Sequence, residues 1–280
     1  MDTSGNSIVL AYLNCRGQSG FHESKQLQIE HFIKVNSIDI LHLQESHIED
    51  NTFSQCKFIS SNFNIIQNNS PSKYGTASLV KSSLSAADII LHHSGRIILF
   101  NVGEVTFGNF YLPSGTDGPS RTSRENYCGD IIPNLMINSK TSGIVGGDWN
   151  NIISKNDCTR YPEAKMSPCL KRVTTTFSWV DTFRHLHPDC RVFSHYYGHH
   201  SAGEGATRID RSYCFGEIKP LEAKYSSVAF SDHMSLIVKI QLPQSLSTGL
   251  CPRTRPIFKT KPEVITDPVF KARLSSSMKE

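Results

Sequence analysis

The 280 residues contain no apolar run near the roughly 20 that a helix needs to cross a bilayer; runs such as Ile97-Ile98-Leu99-Phe100 have the length of strands. The first residues, Met1 to Ser7, lack the basic head and apolar centre of a secretory signal. Cys-x-x-Cys pairs are also missing. The eight cysteines (15, 56, 128, 158, 169, 190, 214 and 251) lie far apart, which argues against a tight zinc pair or a disulfide framework and for free, mostly buried thiols in a reducing compartment. No basic surplus marks the body of the chain. Arg253, Arg255, Lys259, Lys261, Lys271, Arg273 and Lys279 outnumber Glu263, Asp267 and Glu280 by four, so residues 244–280 carry the whole net charge of +4. A passive binder of polyanions carries its positive charge on the binding body. The neutral body remains compatible with an enzyme whose acidic site a divalent cation neutralises. With 38% hydrophobic and 19% charged residues, the chain is neither disordered nor fibrous, and a soluble intracellular domain is the starting expectation, with no membrane partner.

What is present reads as short strands with a few helices between them. Ile8–Leu13, Ile38–Leu43, Phe63–Gln67, Gly75–Lys81, Ala87–Leu91, Arg96–Val102, Val105–Tyr111, Ile144-Val145, Arg191–Ser194, Arg208–Phe215 and Met234–Gln241 are strand-like, with turns of Asn, Ser, Pro and Gly separating them. Helical spacing appears over His22–Val35, Pro119–Asn138 and Pro168–Thr174. Two packed β-sheets flanked by helices follow, an α/β sandwich of four layers. After Pro243 the composition turns to proline and basic residues. One domain over 1–243 and a basic, proline-containing tail or linker over 244–280 are expected, with Val269–Met278 as a short helix.

The informative polar residues fall at the ends of apolar strands, where a scaffold presents groups to a cleft. Asn14 follows Ile8–Leu13, Gln44-Glu45 follows Ile38–Leu43, and Tyr111 follows Gly108–Phe110. Asp148 and Asn150 follow Gly143–Gly147, Asp210 sits in Arg208-Ile209-Asp210, and Ser231-Asp232-His233 precedes the last strand. Taken singly, each is an ordinary loop, turn or core residue. Together they supply what metal-assisted phosphoryl transfer needs: hard oxygen ligands, a carboxylate–imidazole pair for proton transfer, and a place for a cation that offsets charge on phosphate.

This order resembles the endonuclease/exonuclease/phosphatase family, which includes exonuclease III, DNase I and the apurinic/apyrimidinic endonucleases. The matching pieces are Leu13-Asn14, Leu43-Gln44-Glu45-Ser46, Gly75–Val80, Phe110-Tyr111-Leu112-Pro113, Gly146-Gly147-Asp148-Trp149-Asn150, Arg208-Ile209-Asp210 and Ser231-Asp232-His233. Within the family the chain is most similar to the endonuclease domain of LINE-type non-LTR retrotransposons, through Val180–Pro188, Phe193-Ser194 and the basic tail. The resemblance implies a DNase I-like fold and a Mg²⁺-dependent phosphodiesterase (Mn²⁺ as substitute) that nicks one strand of double-stranded DNA and leaves a 3′-hydroxyl. It implies Glu45, Asn14 and Asp232 as metal ligands. Asp148 would act on the attacking water, Asn150 on the scissile phosphate, and Tyr111 on a phosphate oxygen or the leaving group. His233, aligned by Asp210, would stabilise the phosphorane or move its proton. A reverse transcriptase domain in cis and action in the nucleus are implied as well.

Three positions depart from the family pattern. Ser114 stands where Asn is frequent, Ser194 where Thr is usual, and Arg211 where an aromatic follows the aspartate. The segment His195–Gly205, with Tyr197 and His199, is expected as a hairpin loop that senses a DNA groove. Its histidines lack a carboxylate or cysteine at fixed spacing for zinc. Ser114, Arg121, Arg124, Ser194 and His195 are further candidate DNA contacts, together with Lys171 and Arg172. Two other readings stay open: a host abasic-site endonuclease or other phosphodiesterase of the same fold, and a decayed copy that binds DNA without cutting it.

Overall fold

The structure, a computed structural model, describes residues 7–16, 22–48, 52–54, 56–69, 75–115, 117–160, 166–197 and 205–243. The expected tail over 244–280, with its short helix, lies outside the described residues, as does His199.

In chain order the elements are β1 (Ser7–Asn14), α1 (Glu23–Asn36), β2 (Ile40–Gln44), α2 (Lys57–Asn62), β3 (Phe63–Asn69), β4 (Gly75–Lys81), β5 (Ala86–Leu91), β6 (Ile97–Val102) and β7 (Val105–Tyr111). They continue with α3 (Gly118–Asn126), a π turn (Tyr127–Ile131), α4 (Ile132–Met136), β8 (Ser142–Asp148), α5 (Pro168–Thr176), β9 (Val180–Asp181), α6 (Thr182–Leu186), β10 (His195–Tyr197), β11 (Gly205–Thr207), β12 (Asp210–Phe215), β13 (Lys219–Ser226) and β14 (Ser235–Gln241). One six-stranded sheet has the order β13-β14-β1-β2-β4-β3, the other β5-β6-β7-β8-β12-β9, and β10 pairs with β11 as a separate ribbon.

Alternation along β1 shows how the layers form. Leu10 and Tyr12 enter the core between the two sheets with Ile40, Phe100, Phe107, Ile144 and Val238. Ala11 and Leu13 point the other way, onto Ile29, Phe32 and Ile33 of α1. A strand buried on both faces must be apolar throughout, as Ile8–Leu13 is. On the outer face of the second sheet, Phe110, Val145 and Trp149 pack against Cys128, Ile132 and Leu170 from the helical side. Each fully buried Leu, Ile or Phe contributes about 1.5–3 kcal/mol relative to an exposed one. The four-layer α/β sandwich is therefore as expected.

Several elements differ from expectation, each for a local reason. The Pro119–Asn138 segment is helical over most of its length but carries the π turn in its middle. Arg191–Ser194 is not a strand; the ribbon begins at His195, and Arg208-Ile209 precedes β12. β13 went unforeseen because it is an edge strand, polar on its open side and bulged between Pro220 and Glu222. α6 follows β9 directly, with Asp181 capping it by accepting from Arg184 N at 3.0 Å. No disulfide joins the seven described cysteines, and five of them are buried. Among the described residues, no helix is long and apolar enough to cross a membrane.

Register brings the polar strand ends together. In the first sheet Asn14 lies beside Gln44. In the second, Tyr111, Asp148 and Asp210 stand side by side across β7, β8 and β12.

Candidate active site

The site spans the seam between the two sheets. Asn14 donates from Nδ2 to Glu45 Oε1 at 3.1 Å and to Asp148 Oδ2 at 3.0 Å, so one buried amide ties a carboxylate of each sheet. The Tyr111 hydroxyl donates to the same Glu45 oxygen at 2.9 Å. Asn150 donates to Asp148 through its backbone at 2.9 Å and its amide at 3.1 Å, and the amide also reaches Leu112 O at 3.0 Å. His233 Nδ1 lies 2.8 Å from Asp210 Oδ2. All of these residues are buried except Glu45, which is half-buried.

Backbone strain is concentrated here. Glu45 and Asn150 have φ of +50° and +49°, the left-handed region that side chains other than Gly, Asn and Asp rarely adopt. Gly147 has φ +136°, and a Cβ there would meet Phe110 O at 2.0 Å. The Gly-Gly-Asp run is thus a steric requirement for laying β8 against β7 where Asp148 is delivered.

Electrostatics sort the ionisable groups. Burial, then the Asp210 carboxylate, raise Asp148 to about 7 against the pull of His233 and its amide donors. Burial alone would lower His233, but Asp210, with Asp148 and Asp232, outweighs it and pushes the imidazole up to about 9. Burial, then Glu45 and Asp148, hold the Tyr111 phenol far above its ordinary value, so it stays a neutral donor. A charged imidazolium and a carboxylate near its midpoint share one pocket, a pairing suited to general acid–base work.

Oxygen-rich and histidine-bearing groups also meet here. The ligand atoms of Asp148, Asp210 and His233 lie within 4.8 Å of one another, as do those of His195, Asp232 and His233. Asp210 Oδ1 is buried with no hydrogen-bond partner, an acceptor left for a cation or a substrate group. Of the three expected metal ligands, Asn14 and Glu45 are neighbours. Asp232 is exposed, stands against His195 and His233, and pairs with Arg16 at 3.6 Å.

The candidate DNA contacts divide. Ser114 and Arg121 are exposed beside the site, Lys171 and Arg172 are exposed on α5, and His195 is half-buried against His233. Tyr197 ends β10. Two expectations are corrected. Arg124 is fully buried: it donates to Asn151 at 2.9 Å and to the carbonyls of Pro113 and Gly115 at 3.0 and 2.6 Å. It therefore holds the Ser114 loop rather than offering its charge to phosphate. Ser194 is also fully buried, and its Oγ accepts from the backbone N–H of Ile209 and Asp210, both at 3.0 Å. It positions Asp210 instead of touching DNA.

Supporting residues emerge that sequence reasoning passed over. Arg96 lies 4.7 Å over the Tyr111 ring and donates to its carbonyl at 3.2 Å. Lys25, buried on α1, donates to Cys15 O at 2.6 Å and secures the chain just past Asn14. Asp157 accepts from Arg208 Nε at 2.8 Å, Arg184 Nη2 at 3.1 Å and Arg211 Nη2 at 3.2 Å. Arg96 carried a visible signal, a charge at the head of the apolar run Ile97–Phe100, whereas Lys25 sits in the polar stretch His22–Gln26 and carried none. Asp157 carries no such signal.

No known family profile matches the sequence, and no curated protein matches it. Solved structures do. An AP endonuclease from Archaeoglobus fulgidus is 17% identical with a TM-score of 0.68, over 82% of this chain and 98% of that one. The 3′ phosphatase NExo from Neisseria, bound to a product DNA hairpin, is 17% identical with a TM-score of 0.67, over 82% and 98%. TDP2 from C. elegans is 20% identical with a TM-score of 0.61, over 86% and 77%. These likenesses establish the fold: two six-stranded sheets and flanking helices arranged as in DNase I-like proteins.

Proposed function

We propose that this chain is a divalent-metal-dependent phosphodiesterase that nicks one strand of duplex DNA and leaves a 3′-hydroxyl. The observation that carries this reading is the convergence from both sheets of a hydrogen-bonded set, Asn14, Glu45, Tyr111, Asp148 and Asn150, with the Asp210–His233 pair, whose ligand atoms lie within 4.8 Å of that of Asp148. The fold is shared with an AP endonuclease and with a 3′ phosphatase that holds DNA, which supports a DNA substrate.

The half-buried Glu45 carboxylate suits a hard cation such as Mg²⁺ or Mn²⁺, with Asp232 and the Asn14 amide oxygen, which also accepts from Arg16 N at 3.0 Å, as further oxygen donors. A cation held there would polarise a phosphate oxygen and offset the charge that builds on it. Asp148, fixed by two amide side chains and poised near neutrality, orients the attacking water and takes its proton. His233, kept protonated by Asp210, faces the phosphorane as a fixed positive charge. Tyr111, a neutral donor, hydrogen-bonds a phosphate oxygen or the leaving group. Asn150 holds Asp148 and presents its remaining capacity to the scissile phosphate.

The finer reading is an endonuclease of a LINE-type retrotransposon, whose 3′-hydroxyl primes reverse transcription by a domain in cis, in the nucleus. The Val180–Pro188 and Phe193-Ser194 segments, the β10–β11 ribbon beside the site and the basic tail support it.

Relaxation of supercoiled plasmid by the full chain, with Mg²⁺ or with EDTA and beside Asp148→Ala, tests the proposal. Metal-dependent open circles are expected from the wild type, with a loss on the order of 10²–10⁴-fold in the variant. A strong preference for abasic over intact duplex would move the reading to an abasic-site enzyme. Duplex binding without nicking would identify a decayed copy.

A further inference from the structure

The histidines near position 195 have no carboxylate or cysteine at a fixed spacing in sequence, and the fold brings a carboxylate from another segment. An isolated bridge sets His195 at the head of β10 against His233, just before β14. Their rings stack at 4.4 Å between centroids, tilted by 37°, and the ligand atoms of His195, Asp232 and His233 lie within 4.8 Å of one another. We propose that these three side chains form a transition-metal site of the zinc class, and that its occupancy takes the His233 imidazolium away from the phosphorane and Asp232 away from the hard cation.

The donor set is the first argument. Two imidazoles and one carboxylate, with water as the fourth ligand, are characteristic of Zn²⁺, Co²⁺ or Ni²⁺. The Asn14–Glu45 pair offers only oxygens and suits Mg²⁺. Orientation is the second. His233 gives Nδ1 to Asp210 at 2.8 Å, which leaves Nε2 for an ion and places a carboxylate behind the imidazole. Such an outer partner fixes the ring and strengthens it as a ligand. Local charge is the third. Asp148, Asp210 and Asp232 surround the site, opposed by Arg16, whose pairing with Asp232 spans 3.6 Å between side chains 65% and 41% exposed. An arriving dication competes with that weak surface pair and with the proton on His233.

The binding claim stands on geometry alone; only its inhibitory consequence rests on the proposed nicking roles of His233 and Asp232. The test uses the full chain, Zn²⁺ competed against a chromogenic chelator, and Co²⁺ followed by its visible absorption. His195→Phe keeps an aromatic ring against His233 but offers no ligand, while His195→Cys restores one. Wild type is expected to take up one Zn²⁺ and give an intense Co²⁺ band. His195→Phe should bind at least about tenfold more weakly and lose the band, and His195→Cys should recover both. Zn²⁺ inhibition of Mg²⁺-dependent nicking should follow the same order. Equal Zn²⁺ affinity in wild type and His195→Phe, or no uptake by folded wild type, overturns the site. Uptake that depends on His195 in a chain that never nicks upholds the metal site and removes the nicking role instead.

Discussion

At the scale of single residues, Asp210 has the clearest measurable consequence. It accepts from His233 Nδ1, and its charge is what lifts the imidazole to about 9 against burial. His233 thus stays protonated well past the 6.5 of a free histidine. An activity that needs the imidazolium is present below the raised value and declines as pH climbs through it. Asp210→Asn removes the charge while keeping the shape. The alkaline limb of kcat/KM for nicking should then move down from near 9 toward the ordinary histidine range, with a loss on the order of 10²–10³-fold in the maximum. A pH–rate profile of both proteins checks this, and an unmoved alkaline limb assigns it to another group. His233, Asp210 and Asp148 were legible as residues because each sits at the end of an apolar strand. Their order of proton affinity was not, since it arises from distances between β8, β12 and the segment before β14.

At the scale of elements, the segment around Asp157 is fastened to β12 by charge. Asp157 is buried, and burial alone would raise its carboxyl; Arg211, then Arg208, instead pull it down to about 2. Arg208 also reaches Asp181 at 2.7 Å, so β9, β12 and the 155–157 turn share one network flanking Asp210. This network accounts for the guanidinium of Arg211, where the resemblance led an aromatic to be expected: its charge has a fixed partner, and it also donates to Arg208 O at 2.8 Å. Asp157→Asn would leave the buried Arg211 guanidinium without its carboxylate and Arg208 with Asp181 alone, at a cost of about 3–5 kcal/mol. The pH dependence has a definite sign. A depressed carboxyl stabilises the fold above its unfolded value of about 3.9 and stops doing so as pH falls toward 2. Urea unfolding should therefore show a wide gap between wild type and variant at pH 6 that narrows steadily below pH 4. A gap independent of pH would mean that packing, not charge, holds the segment. Sequence pattern revealed β1, β4, β6, β7 and β14 because their burial on one or both faces demands apolar residues. It missed β13, whose open edge is polar, and it missed the Asp157 network, whose partners lie 27 to 54 positions away along the chain.

At the scale of the whole molecule, the site depends on how two sheets are placed, since Glu45 belongs to one and Tyr111, Asp148 and Asp210 to the other. Apolar packing between them is close but not directional. Asn109 of β7 supplies direction. Fully buried, it donates to Leu43 O at 3.0 Å and Ala77 O at 2.9 Å, and accepts from Gln44 Nε2 at 2.7 Å. One side chain thereby fixes β7 to β2 and β4, two residues before Tyr111 and in contact with Gln44, the residue before Glu45. Asn109→Asp keeps the size and the acceptor but cannot donate to either carbonyl. It should destabilise by about 2–4 kcal/mol, as an unpaired buried acceptor pair and a buried carboxyl would. It should also lower kcat for the proposed nicking more than it changes KM, because the groups proposed to act on the phosphate would be set apart while the outer surface stays as it is. Denaturant midpoints together with kcat and KM under conditions where the variant is fully folded separate the two effects. A folded variant with unchanged kcat would show that apolar packing alone sets the spacing of the sheets, and that the polar clamp beneath the site serves stability only.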